Sequence, residues 1–495
     1  MNLKFFKIFG SIFILFYLSV GVLFYLTFRE KLPSILQNKL ESISLNFLDF
    51  GVGELYYYNS NWLNPEKLDF SLSFSNKDLM YLDSVKTIIN TEDLIIIPEK
   101  LKEWRNFEIF FNNELIKGKF KLHGASTAPY KLGYSSLTVK SKKEINGFTD
   151  LKLITGNEMD YKNIFLNYFA KKHDLISEDT GEIILTNMNG RTEVFFMYQV
   201  FDEKYLKTKF DMKDPKIFRR KTFIDHPSQW HSSSIDDVPI NLDQKMIKQL
   251  DLDYWAKFIK DKSSKFYDEM YMGRFMALIQ LFGHPHQITG NNDKWILNET
   301  KFYPVYRNEG IIEKITYDEL DESSVFDKYY ESSTHKIYEN SLLNWDVYFS
   351  RNQTFKKIID NKNEIISGFD SIYNSNKEKL MFNPRFLATK LKHKTYIDRL
   401  KHNIGIIESY LNMGFVILAY DGKNLRVVSS RKNPIKIKTS KSETIVYPFG
   451  FQNIKNSKSE VIIDDTEDIQ KLEIYDLVLD KKLTYEESYS IIYIN

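Results

Sequence analysis

The spacing of apolar and polar positions changes along this chain, and the changes predict where strands give way to helices. Between residues 90 and 200, short aliphatic and aromatic runs are separated by turn signals at 112–113, 146–147 and 189–190. Runs of this kind are typical of β-strands, and Asn-Gly is the strongest tight-turn signal. One helical period interrupts them at residues 160–172. The first half is therefore predicted to be a β-rich lobe with one packed helix.

Helical spacing dominates the second half of the chain. Apolar residues recur with a period near 3.6 within residues 242–282, 341–373 and 394–412. After Gly414 the pattern returns to short strands, which predicts a small β-sandwich-like module. The predicted fold class is α+β, with a β-rich N-lobe, a helical C-lobe and a C-terminal all-β module.

A hairpin is predicted where the helical half begins to carry polar clusters. Residues 295–297 and 302–306 read as two strands joined by a polar turn, so their outer ends should lie side by side. Those ends carry Asn291, Asn292 and Asp293 on one side and Arg307, Asn308 and Glu309 on the other. Converging side-chain oxygens suit a hard cation with phosphate oxygens. A structural hairpin with polar ends is the alternative.

An uncharged segment at residues 8–28 follows Lys4 and Lys7 near the N-terminus. About 20 apolar residues are enough for a helix to span a bilayer. The flanking lysines favour an N-in orientation. We predict an uncleaved signal anchor, a single-pass membrane protein with its bulk outside the cytoplasm, and membrane contact through residues 8–28. A cleaved signal peptide is the alternative.

The amino-acid composition excludes some kinds of site and partner but does not identify a function. The chain has 495 residues, 43% of them hydrophobic, so two or three domains with a sizeable core are expected. Lys+Arg 68 against Asp+Glu 66 leaves a net charge of +2, which predicts no nucleic-acid partner. There is no cysteine, so disulfides, thiolate metal sites and cysteine nucleophiles are excluded.

Four blocks of sequence resemble, in the same order, motifs of the CotH-type kinases, the spore-coat family of atypical kinases. The blocks are FKLHGAST with YSSLTVK (residues 120–127 and 134–140), NGRTEVFFMYQVFDEKYL (189–206), GNNDKWILN (290–298) and YPVYRN (303–308). They are similar to the family's RLRG-x-S…KKSFRLKF opening, its NG-x-x-x-G-x-Y-x-x-x-E-x-x-D-x-x-F-L run, its NN-x-x-Y strand and its PI-P-W-D segment. The predicted domains are 1–34 (anchor), 35–89 (lead-in), 90–412 (CotH-like kinase domain) and 413–495 (β module).

The resemblance implies a kinase-like two-lobed domain that binds ATP and Mg²⁺ and phosphorylates protein hydroxyls. In such chemistry a lysine neutralises phosphate charge, oxygen ligands hold magnesium and an acidic group orients the attacking hydroxyl. The candidate positions are Lys140, Gln199 and Arg307 for the nucleotide, Asn291, Asn292 and Asn308 for the metal, and His284, Asp293 and Glu309 for catalysis. Of these, Lys140, Asn291 and Asn292 match residues of the family's motifs, whereas Asp293 and Glu309 lie one residue from the positions where its carboxylates are expected. A surface role for Lys140 and a loop role for His284 are the alternatives.

Three acidic positions of the family are replaced in this chain. The family's glutamate falls near Gln199, its catalytic aspartate near Gly283 or His284, and its metal-binding aspartate on Asn308. Neutral oxygens hold a divalent cation more weakly than carboxylates, because less charge faces the ion. Three hypotheses follow: a CotH-like kinase acting on a protein or envelope-polymer substrate, a pseudokinase that binds nucleotide, or a structural or glycan-associated envelope protein.

Overall fold

The chain forms two compact units, each assembled from segments far apart in sequence. The first lies within Met1–Leu166, Glu178–Val200 and Gly368–Asp398, and the second within Asn167–Ser177, Phe201–Ser367 and Arg399–Asn495. The predicted domain ranges 35–89, 90–412 and 413–495 stay predictions. The computed structural model describes residues 19, 22, 68–92, 97–124, 136–155, 161–178, 181–188, 191–219, 249–283, 293–306, 312–321, 335–382, 386–455, 458–464, 469–485 and 487–494.

The first unit contains a closed seven-stranded β-barrel, in the order β1-β2-β3-β4-β5-β7-β6. Its strands are β1 (Phe70–Ser73), β2 (Arg105–Phe111), β3 (Glu114–Leu122), β4 (Leu137–Ile145), β5 (Phe148–Thr155), β6 (Glu182–Met188) and β7 (Arg191–Gln199). β1 closes the barrel because it pairs antiparallel with β2 and parallel with β6. The sheet therefore has no open edge.

Alternating residues of the strands fill the barrel. Phe107, Phe120 and Leu151 belong to one buried cluster, whereas their neighbours along each strand point away from it. Helix α1 (Asn76–Thr91) adds Val85 and Ile89 to the same cluster. The Ser75 side chain caps this helix by accepting a hydrogen bond from the Asp78 amide at 3.2 Å.

The residue before β1 joins the closing strand to two distant segments. The Asp69 carboxylate accepts a hydrogen bond from the Leu185 amide at 2.7 Å. It also accepts one from the Lys379 ammonium at 2.9 Å, and the same ammonium donates to the Ile183 carbonyl at 2.9 Å. Lys379 lies in helix α9 (Lys362–Leu380), so residues late in the chain secure the point where the barrel closes.

The predicted kinase-like two-lobed fold behind a transmembrane helix is wrong. The structure has mixed α and β content built on a closed barrel. The physical reason is the position of β1, whose pairing with both β2 and β6 closes the strands of the predicted β-rich lobe into a barrel. The predicted helix at 160–172 is confirmed as α2 (Tyr161–Lys172).

The second unit contains a three-stranded sheet, most of the helices and the C-terminal strands. The sheet has the order β10-β9-β8, formed by β8 (Lys216–Arg219), β9 (Lys294–Asn298) and β10 (Lys301–Pro304). The antiparallel pairing of β9 with β10 confirms the predicted hairpin. The remaining helices of the described chain are α3 (Glu203–Phe210), α4 (Gln249–Asp261), α5 (Glu269–Phe282), α6 (Asp318–Asp321), α7 (His335–Ser341), α8 (Trp345–Asp360) and α10 (Phe386–Asn412).

The C-terminal residues form two four-stranded sheets around one apolar core. The strands are β11 (Val416–Tyr420), β12 (Leu425–Ser429), β13 (Ile435–Lys438), β14 (Glu443–Val446), β15 (Glu460–Ile463), β16 (Glu473–Asp476), β17 (Lys481–Lys482) and β18 (Tyr489–Tyr493). Buried polar bonds join this module to α8. Asn352 of α8 donates to Asn433 at 3.2 Å, and Asn433 donates to Asp476 at 3.0 Å.

The predicted signal anchor and single-pass membrane localisation are contradicted by the helices that the structure describes. None of these helices is both long enough and apolar enough to cross a membrane. The 27-residue α10 carries lysines along its length, and the apolar α5 has only 14 residues. Residues 8–28, on which the prediction was based, lie outside the described residues except for Ser19 and Val22.

Candidate functional site

Lys140, the predicted phosphate contact, lies on the outer face of the barrel beside an exposed tryptophan. Its ammonium nitrogen is 5.3 Å from the centroid of the Trp104 ring, and that of Lys121 is 5.1 Å from the same centroid. Trp104 directly precedes β2 and keeps 40% of its surface exposed. Two cations therefore lie over one accessible indole ring.

Strand pairing explains why these lysines meet. Lys119 is paired with Lys140, and Lys121 with Thr138, so alternate residues of β3 share the outer face with β4. Lys152 of β5 is also paired with Thr138. Two adjacent rows of the outer face therefore carry Lys119 with Lys140 and Lys121 with Lys152, while the intervening apolar residues fill the barrel.

These lysines differ in how their charge is balanced. Lys140 lies 3.7 Å from the Asp150 carboxylate, but the two side chains are 59% and 36% exposed, so this ion pair is weak. Neither Lys119 nor Lys121 forms an ion pair or a side-chain hydrogen bond with any other residue that the structure describes. Lys152 is different, because its ammonium lies 3.1 Å from Glu178, whose side chain is 2% exposed. Lys119, Lys121 and Lys140 are thus the lysines available to a ligand.

Gln199, the second predicted nucleotide contact, lies on the opposite side of the barrel wall from Lys140. It is paired with Leu151, which belongs to the barrel core, and directly paired residues share a face. Its Oε1 atom is buried and has no hydrogen-bond partner among the described residues. The structure therefore does not bring Gln199 and Lys140 together.

Asp293 is buried against the hairpin of the second unit. It directly precedes β9 and is 1% exposed, and the Tyr338 hydroxyl donates a hydrogen bond to its Oδ1 at 2.9 Å. The Tyr338 ring in turn stacks on Trp295 at 5.3 Å between centroids. The other predicted site residues lie outside the described residues and stay predictions: His284, Asn291, Asn292, Arg307, Asn308 and Glu309.

Sequence reasoning missed Trp104, Lys121 and Lys152. The lysines had a signal, because KGKFKL at residues 117–122 alternates lysine with smaller or apolar residues within a predicted strand. Such alternation places the lysines on one face. Trp104 had no comparable signal, since its contact with Lys140 depends on the pairing of three strands.

No family model matches this chain, and no curated protein matches it. The resemblance to the CotH-type kinases therefore rests on the four sequence blocks alone.

Proposed function

We propose that this chain binds a nucleotide, with ATP as the first candidate, on the outer face of its barrel around Trp104. The observation that carries the proposal is the pair of ammonium groups, from Lys121 and Lys140, over one exposed indole. An exposed aromatic ring can stack on a nucleobase, and stacking contributes about 1–3 kcal/mol per base. The lysines supply the positive charge that phosphate oxygens require.

The charges around this face favour a small ligand over a nucleic-acid strand. Asp150 lies 3.7 Å from Lys140, and Glu108 is paired across the sheet with Lys117. These carboxylates interrupt the basic surface, whereas a nucleic-acid strand needs a continuous basic track. A single nucleotide needs only the lysines that lie beside one ring.

Phosphoryl transfer from ATP to protein hydroxyls, which the CotH resemblance implies, is the activity that we propose for the bound nucleotide. Magnesium, when bound, neutralises charge on the β- and γ-phosphates in such reactions. Among the residues that the structure describes, no group of three or more His, Asp or Glu side chains could hold a metal ion. The magnesium ligands predicted at Asn291, Asn292 and Asn308 lie outside the described residues and stay predictions.

Nucleotide binding without transfer is the second candidate. The burial of Asp293 favours it, because a carboxylate that is 1% exposed and hydrogen-bonded to Tyr338 does not reach a substrate hydroxyl. Gln199 also offers an amide in place of the family's glutamate, on the inner face of the barrel. Retained binding with no transfer would identify this candidate as the function.

Calorimetric titration of the full chain with ATP, with and without Mg²⁺, tests the proposal. Lys140→Ala should weaken ATP binding about tenfold, because a charge-assisted contact is lost. Trp104→Ala should weaken it by a similar factor through lost stacking, which contributes about 1–3 kcal/mol. Lys117→Ala is the matched control, since Lys117 shares the outer face of β3 but is paired with Glu108.

Three outcomes distinguish a kinase, a nucleotide-binding protein and a structural or glycan-associated protein. If neither the wild type nor a variant binds ATP, the nucleotide proposal fails and a structural or glycan-associated role replaces it. If Lys117→Ala weakens binding as much as Lys140→Ala, the contact is general charge attraction and not a site at Trp104. Transfer of labelled phosphate from ATP to an acceptor protein then distinguishes a kinase from a nucleotide-binding protein.

A further inference from the structure

Thr138, on the outer face of β4, carries a hydroxyl group within hydrogen-bond distance of an imidazole. Its Oγ1 atom lies 3.0 Å from the Nδ1 atom of His123, the residue that directly follows β3. Both residues are only half-buried. A hydroxyl within hydrogen-bond reach of an imidazole is the arrangement in which a base can activate a nucleophile.

The backbone of the sheet holds His123 in this position. Its amide donates a hydrogen bond to the Ser136 carbonyl at 2.8 Å, which extends the pairing of β3 with β4 by one residue. The Ser136 hydroxyl in turn accepts a hydrogen bond from the Thr155 amide of β5 at 3.1 Å. The imidazole therefore lies beside Thr138 because two strands place it there, and their contact is preorganised.

Strand pairing also connects Thr138 with the tryptophan of the nucleotide face. Thr138 is paired with Lys121 of β3 on one side and with Lys152 of β5 on the other. The Lys121 ammonium nitrogen lies 5.1 Å from the centroid of the Trp104 ring, and Trp104 directly precedes β2. Neighbouring strands are about 4.8 Å apart, so Thr138 lies about 10 Å from Trp104 across two strand spacings. An extended triphosphate can cover that distance from a base stacked on Trp104.

The charges around this hydroxyl favour a phosphate group. The carboxylate of Glu178 lies 3.1 Å from the Lys152 ammonium, and that of Asp150 lies 3.7 Å from the Lys140 ammonium. Each of these two carboxylates is thus compensated by a lysine. Lys121 forms no ion pair with any residue that the structure describes, so its positive charge is in excess beside the hydroxyl.

We propose that Thr138 is a phosphorylation site that the chain modifies itself, with the ATP bound at Trp104 as the phosphoryl donor. This inference rests on the proposed nucleotide binding and names one hydroxyl that receives the phosphoryl group. A bond forms between Oγ1 of Thr138 and the γ-phosphorus, the bond from that phosphorus to the bridging oxygen breaks, and ADP leaves with the electron pair. His123, in the tautomer protonated at Nε2, accepts the hydroxyl proton at Nδ1 and releases a proton to solvent. Lys121 neutralises charge on the phosphate oxygens.

The modification regulates the face on which it occurs. A phosphothreonine carries a charge of about −1.5 to −2 at neutral pH. Beside Lys121 it takes the place of the nucleotide's phosphate groups and repels them. The modified chain should therefore bind ATP about tenfold more weakly than the unmodified chain, so that the reaction limits further binding at its own site.

The test is incubation of the full chain with ATP and Mg²⁺, followed by mass spectrometry of the intact protein and of its peptides. The wild type should gain one phosphate group, on Thr138. Thr138→Val should lose the modification, and Thr138→Ser should regain it at the same position, which distinguishes a missing hydroxyl from a folding defect. His123→Gln should slow the modification about 100-fold, because an amide can hold the hydroxyl but cannot accept its proton. Calorimetry of the modified and unmodified chains measures the change in ATP affinity.

Ser141→Ala is the matched control, because Ser141 lies on the same strand and its hydroxyl donates a hydrogen bond to the Lys143 carbonyl. This variant should be modified at the wild-type rate, and that rate should not depend on protein concentration if the transfer occurs within one chain. ATP binding without phosphate on Thr138 would overturn this proposal and leave nucleotide binding intact, whereas absent ATP binding would overturn the nucleotide proposal itself. Equal rates in the wild type and His123→Gln, or unchanged ATP affinity after modification, would also overturn the site proposed here.

Discussion

The imidazole of His173 makes the stability of the second unit depend on pH. Burial and the charges of Lys357 and Lys172 lower the pKa of His173 to about 4, whereas an imidazole in an unfolded chain has a pKa near 6.5. The unfolded state therefore binds the proton more tightly. The stabilisation is complete above about pH 6.5 and is lost as the pH falls towards 4, by roughly 1–3 kcal/mol.

Urea unfolding at pH 7 and pH 4.5, in phosphate-free buffer, measures this effect. Carboxylates also titrate in this range, so the wild type is compared with His173→Gln, which cannot be protonated. The free energy of unfolding of the variant should fall less on acidification. Equal losses in the two proteins would show that His173 does not carry the pH dependence.

At the scale of elements, the crossing of α5 and α8 depends on Gly273. A β-carbon at this position would lie 2.5 Å from both the Ser350 β-carbon and the Val347 carbonyl oxygen. Replacing glycine by alanine inside a helix normally adds about 1 kcal/mol of stability. At Gly273 the clash of the added β-carbon with atoms of α8 outweighs this gain. We therefore expect Gly273→Ala to lower the free energy of unfolding by about 2–3 kcal/mol.

Gly405 of α10 is the matched control for that substitution. A β-carbon there meets no atom within 4 Å. Gly405→Ala should therefore be neutral or stabilising, by about 0.5–1 kcal/mol. Thermal or urea unfolding followed by circular dichroism measures both variants, and a stabilised Gly273→Ala protein would show that the two helices can separate without cost.

Elements whose signals are local could be predicted from the sequence, and those that depend on distant pairing could not. The hairpin of β9 and β10 and helix α2 each carry their period within one short segment. Helix α1 was missed, although Ser75 and Asp78 give it an N-terminal cap. Barrel closure was missed because the partners of β1 lie in β2 and β6, and no local pattern specifies a parallel partner.

The residues of the candidate site also divide into those that could be predicted from local sequence and those that depend on strand pairing. Lys140 was found through its motif, and its lysine neighbours follow from strand alternation once β3 and β4 are paired. Gln199 was wrongly assigned to the same site. The sequence alone does not show whether the Gln199 side chain, at the end of β7, points into the barrel or out of it. A shift by one residue along a strand reverses the face.

At the scale of the second unit, a buried polar network joins the C-terminal module to α8. Asp476 is fully buried and accepts hydrogen bonds from Arg431 and Asn433, each at 3.0 Å. Replacing one partner of a buried ion pair leaves the other charge uncompensated, which costs about 3–5 kcal/mol. Asp476→Asn should therefore destabilise the module strongly. Because Asn433 also bonds Asn352, amide exchange should accelerate in α8 as well.

Hydrogen exchange followed by mass spectrometry measures both effects of Asp476→Asn. Glu443→Gln is the control, because Glu443 forms an exposed pair with Lys436 at 3.7 Å in the same module. Such a pair contributes about 0–1 kcal/mol, so exchange should be nearly unchanged. Faster exchange in the module alone, with α8 unaffected, would show that the network does not couple them.

The closed barrel also constrains the order in which the first unit can fold during synthesis. β1 pairs with β6, so a strand made early has to wait until most of the barrel has left the ribosome. Loop closure over that distance is an entropic cost that local contacts do not have. The ion pair of the Asp69 carboxylate forms later still, because its partner Lys379 lies in α9 and is synthesised after the whole barrel. A nascent chain that has just completed β7 therefore holds a barrel whose closing strand still lacks the lysine that secures it.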